Sequence, residues 1–124
     1  MSTSLVVAAV LLVFLAAAHS YLGERYLLIR LLRRSDLPRL FGGDQFTKRT
    51  LRFAWHLTSV AWCGLAALVV QLAGAAPPTG SALSRTIAVT CGTSAVVSLV
   101  ISRGRHLSWV VFGFIALLTW VASQ

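Results

Sequence analysis

Few residues in this sequence can do chemistry. His19, His56, His106 and Glu24 stand out because each falls within or beside a long apolar run. Polar groups inside a membrane are costly and mark functional positions. Neutral imidazoles ligate metals and relay protons. Three imidazoles and a carboxylate make a ligand set suited to zinc, copper or iron. Two imidazoles on opposite faces of one iron would hold a haem. A transition metal or haem is therefore the cofactor these residues point to, with His56 the deepest of them. The spacing is less compact than a ligand motif: there is no HExxH, and His19 and Glu24 lie five residues apart, about 140° around an unbroken helix. They meet at one ion only if the helix bends, and Gly23 is where it can. The competing reading gives each group an ordinary role. His19 then bonds to backbone or lipid phosphate, His106 caps a helix beside Arg105, and Glu24 pairs with Arg25 or Lys48.

The elements that must position these groups are membrane helices. The chain has 124 residues, of which 57% are hydrophobic and only 11% charged, with mean hydropathy +0.81. A soluble domain carries about 25% charged residues, so this chain cannot cover a water-facing surface. Four runs approach the roughly 20 apolar residues a span requires: about 4–22, 53–72, 83–102 and 107–122. All four are expected to be helices, because a lone strand cannot satisfy its backbone in lipid. The fold class is thus an all-α integral membrane bundle of four helices in a single domain. The first run resembles a secretory signal near Ala16-Ala17-Ala18, but no Lys or Arg precedes it, and a signal peptide needs a basic start. It reads as an uncleaved span.

Charge sets the expected orientation. Ten of the eleven Lys and Arg residues fall in the long loop 23–52 or in Arg103-Gly-Arg105; only Arg85 lies toward the other side. The positive-inside rule makes that basic face cytoplasmic and both termini periplasmic. Tyr21, Tyr26, Trp55 and Trp109 mark the inner boundary, Trp120 the outer, and Trp62 packs deeper between helices. Within the loop, Leu27, Leu28, Leu31 and Leu32 recur at helical spacing opposite Arg30, Arg33 and Arg34. This basic amphipathic segment between helices one and two either continues span one or bends away at Gly23. Ser35 to Gly43 reads as a turn region, and Asp44 as the N-cap of a helix running from Gln45 into span two. Arg30, Arg33, Arg34, Arg39, Lys48, Arg49 and Arg52 suit anionic lipid headgroups, at about 1 kcal/mol each. Nucleic acid is not the expected partner, since the basic residues hug the bilayer and no aromatic platform accompanies them.

Small and hydroxylated residues mark the faces along which the helices meet. In span two, His56, Ser59, Cys63 and Ala67 share one face, with Gly64 at mid-span. Span three is richer: Thr86, Thr90, Cys91, Gly92, Thr93, Ser94 and Ser98, with Ala88 and Gly92, and Ser94 and Ser98, as small-xxx-small pairs. Gly113 holds the middle of span four. Cys63 and Cys91 form no CxxC pair and read as small apolar side chains. In the turn 103–106, Gly104 suits a helix C-cap.

The stretches AHSYLGER, LRFAWHLTSVAW and RGRHLSW together resemble uncharacterised small four-span membrane proteins of proteobacteria, over nearly the whole chain. That resemblance implies a bacterial inner-membrane location and carries over no activity. Small multidrug exporters share the length and span count, but they use a glutamate embedded in span one, where this chain has no acid before Glu24. The polar-track motif of fluoride channels is absent. No catalytic constellation emerges. The expectation is a non-enzymatic accessory or complex-forming subunit, associating with other membrane subunits or with itself. The alternatives are a metal- or haem-binding redox protein built on the histidines, and a small transporter gated at His56.

Overall fold

A computed structural model describes residues 1–124. The chain is all helical: α1 is Thr3–Leu31, α2 is Gln45–Leu72, α3 is Gly80–Ser102 and α4 is Ser108–Val121. Three of them, α1 to α3, are long and apolar enough to cross a membrane. At 1.5 Å per residue α4 is only about 21 Å long, short of the roughly 30 Å hydrocarbon core.

The helices do not close into a bundle. Each packs only on its neighbours in the chain: α1 on α2, α2 on α3, α3 on α4. The result is a layer one helix thick. Just 13 of 124 residues are buried, most of them Ala and Ser. No residue of α4 is buried. The physical reason lies in where the small residues sit. Ala9 and Ala16 on α1, Ser59 and Ala66 on α2, and Ala88, Ser94, Ser98 and Ser102 on α3 are buried along the three seams. The bulky residues of α4, such as Phe114 and Leu117, face outward.

The amphipathic segment continues span one without a bend. Gly23–Leu28 is wound as a π-helix inside α1, and Ile29–Leu31 returns to α. A cause is visible in the backbone. The His19 carbonyl accepts from the Gly23 N–H, and it also accepts from Trp55 Nε1 at 3.1 Å. A side chain inserted at a helical carbonyl loosens the ladder there, and the wider turn begins at that point.

The termini of the other helices correct two expectations. Asp44 occupies the N-cap position of α2, but its backbone is helical and its side chain makes no cap bond. Its carboxylate turns to the Lys48 ammonium instead, at 2.6 Å. On α3 the cap is Thr79, whose Oγ1 accepts from the Ala82 N–H at 3.2 Å. The C-cap of α3 is Arg103 rather than Gly104. Arg103 adopts the left-handed conformation, with φ 53° and ψ 42°, and Gly104 follows with φ 74°.

Candidate functional site

The site is built where α1 widens. Ser20 and Glu24 are four apart and project on one side of α1. His56 and Ser59 are three apart on the facing side of α2. The four side chains form one hydrogen-bonded chain. Ser59 Oγ donates to the Ala16 carbonyl at 2.9 Å, and Ser20 Oγ donates to Ser59 Oγ at 2.8 Å. Ser20 Oγ also meets His56 Nδ1 at 2.9 Å. His56 Nε2 faces Glu24 Oε2 at 3.3 Å, a long contact for this type. The other carboxylate oxygen, Glu24 Oε1, accepts from Arg52 at 2.9 Å.

The direction of these bonds can be counted. A carbonyl only accepts, and each hydroxyl has one proton to give. Ser59 gives its proton to Ala16 and Ser20 gives its proton to Ser59. Ser20 therefore accepts from Nδ1–H of His56. A carboxylate at Nε2 accepts as well. The count leaves the contact of Nε2 with Glu24 as the one link of the network whose direction it does not fix.

His56 and Ser20 also open onto a groove. It holds about 710 Å³, along α2 between α1 and α3. Its walls are largely apolar, with Ser59, Cys63 and Thr90 along them and Arg85 at the opposite end. Arg85 has no acidic partner. Gly64 lets α3 approach here: a Cβ at that position would lie 2.4 Å from Thr90 Oγ1.

The three histidines do not converge. His19 stacks flat on Trp55, with centroids 4.3 Å apart, and meets the edge of Trp62 at 5.0 Å. Its Nε2 is buried without a partner. His106 lies against Phe53 at 4.9 Å and Phe46 at 5.8 Å, and its Nδ1 accepts from the Ser108 N–H at 3.2 Å. No group of three or more His, Cys, Asp or Glu side chains is placed to hold one ion. The wide turn that begins at Gly23 brings Glu24 to His56 while leaving His19 facing the indoles. Glu24 pairs with Arg52 and His56 rather than with Arg25 or Lys48.

The remaining candidates separate by location. Gly92 is in ordinary contact range of Ala116, whereas Gly113 faces open space and Cys63 is exposed in the groove instead of packed at a seam. Among the arginines, Arg33, Arg49 and Arg52 surround a cavity with Lys48, while Arg34 pairs with Asp36 in the exposed loop. Arg30 and Arg39 stand exposed. Sequence reasoning passed over Ser20, the link between His56 and Ser59, and Arg103. The i, i+4 spacing of Ser20 and Glu24 against the i, i+3 spacing of His56 and Ser59 was the available signal. Comparison with protein-family models, with curated proteins and with solved structures finds no match.

Proposed function

We propose that this chain is a multi-pass inner-membrane protein whose basic face is cytoplasmic, and that it works as a non-enzymatic, complex-forming subunit. The observation that carries this reading is the single layer of helices with a largely apolar groove open along its side. In lipid the groove, with Arg85 at its end, would face hydrocarbon. A polar group left there without a partner costs several kcal/mol, and Arg85 has no acidic partner. Another membrane helix, from a partner or a second copy, covers the groove. Cys63 is exposed and lines the groove, so it reports directly. In a Cys91→Ala background, a bismaleimide applied to native membranes is expected to join Cys63 to a neighbour in fixed stoichiometry. Monomeric protein throughout, both in crosslinking and by mass in native-lipid particles, would sink the proposal.

A second reading has its own support. The Ser59–Ser20–His56–Glu24 chain is a continuous path for a proton at one end of the groove, as a small proton-linked transporter requires. Vesicles carrying an internal pH dye distinguish the two. Proton entry that disappears in His56→Phe, in protein that assembles normally, favours transport; no difference from protein-free vesicles removes it.

A further inference from the structure

A second cavity lies at the basic end, apart from the groove. It holds about 620 Å³ between the end of α1, the start of α2 and the α3–α4 turn. Five cations line it, namely Arg33, Lys48, Arg49, Arg52 and Arg103, and no carboxylate does. Membrane orientation requires cations on one side of the bilayer but not their convergence on one cavity. Asp44 neutralises Lys48, and Glu24 neutralises Arg52. Arg33, Arg49 and Arg103 have no acidic partner, so the wall carries a large uncompensated charge.

Two observations point to a ligand. Arg52 Nε is buried and has no hydrogen-bond partner, although a buried N–H is nearly always satisfied. Arg103 is held left-handed at φ 53°, where glycine is the ordinary choice. Strained backbone of this kind clusters at ligand-holding positions, and this one adds a fifth cation to the wall. We propose that the cavity binds a phosphate group, carried either by a membrane lipid headgroup or by a free phosphate compound. Guanidinium forks match phosphate oxygens two at a time. The N-terminus of α2, at Gln45 in the cavity wall, adds a favourable dipole. The proposal does not depend on what covers the groove.

The test uses the full-length protein in phosphatidylcholine nanodiscs, titrated with inorganic phosphate at constant ionic strength. A second arm uses nanodiscs with increasing phosphatidylglycerol. Binding is read from thermal protection and from lipid retained in native mass spectrometry. Saturable binding of inorganic phosphate identifies a free phosphate as the source; saturable protection only by phosphatidylglycerol identifies a headgroup. In the arm that saturates, Arg49→Gln and Arg103→Gly are each expected to weaken binding about tenfold, the loss of one charge-assisted hydrogen bond. Arg103→Gly should at the same time raise the unfolding midpoint without ligand, because glycine adopts the left-handed conformation freely, so a misfolded variant cannot mimic the result. Arg105→Gln, outside the cavity lining, should bind as the unaltered protein does. The proposal is overturned if neither arm saturates, or if Arg105→Gln loses as much binding as Arg103→Gly.

Discussion

The seam between α1 and α2 and the face of α3 carry similar residues to different ends. On α3, Thr86, Thr90, Thr93 and Ser94 each donate to the carbonyl four residues back, in their own helix. Their protons stay within the helix, although Thr86 also accepts from Gln71 Nε2 across the α2–α3 seam. Between α1 and α2, Ser59 and Ser20 donate across the seam and end on His56 and Glu24. The helix richest in hydroxyls is therefore not the one whose hydroxyls lead to a carboxylate. What separates them is whether a hydroxyl's proton stays in its own helix or crosses to another.

The largest expected effect tests the seam itself. A Cβ at Gly23 would lie 2.1 Å from Trp55 Nε1, whereas one at Gly92 would meet only Ala116 at 3.8 Å. Gly23→Ala should cost about 3 kcal/mol in reversible detergent unfolding, the upper part of the overpacking range, and Gly92→Ala close to nothing. Equal losses would erase the contrast. Next comes the network. His56→Ala strands Glu24 and Ser20 and should destabilise by about 2 kcal/mol, while Ser94→Ala, whose hydroxyl only bonds back to Thr90, should change stability by less than about 0.5 kcal/mol. A neutral His56→Ala would make the α1–α2 chain as inert as the α3 hydroxyls.

Smaller effects extend the contrast to the helix ends. Thr79→Ala removes a working cap and should cost about 1 kcal/mol, whereas Asp44 makes no cap bond to lose. The smallest effect is that of pH on Asp44. The hydrogen-bonded Lys48 ammonium holds its carboxyl below the usual carboxylate range. A lowered folded value means the pair's contribution is present above the unfolded value and fades as pH falls through the folded one. Unfolding midpoints measured from pH 5 downward should show this slope in the unaltered chain and lose it in Asp44→Asn. Identical slopes would show that the pair contributes nothing.

Much of the fold was legible because hydrophobic run length is a strong signal: the helix ends fall within a few residues of the apolar segments, except where α1 runs on to Leu31 and α2 starts early at Gln45. That the helices would form an open layer rather than a bundle was not legible. Run length says nothing about which faces meet, and the bulky residues of α4 leave it with one neighbour. In the site, Glu24 and His56 were legible as ionisable groups at one depth. Their pairing, and the exclusion of His19, depend on the wide turn at Gly23, set by an indole thirty-two residues further along. The cation cavity escaped notice because Arg103 reaches it only through a backbone conformation that residue type rarely adopts.

The wide turn also sets which insertions and deletions the chain tolerates. A π segment accommodates an extra residue within an otherwise α-helical run. Deleting one residue between Arg25 and Leu28 lets α1 wind as a plain α-helix, at little cost to helicity. The wide turn had absorbed that residue, so Arg33 keeps its side of the helix. The same deletion in the plain α-helical part, Ile29–Leu31, turns everything after it by about 100° and swings Arg33 off the cavity shared with Arg49 and Arg52. The loop at 32–44 can change length without this penalty. A deletion scan across residues 23–44 should therefore show its losses at Ile29–Leu31, between two tolerant stretches.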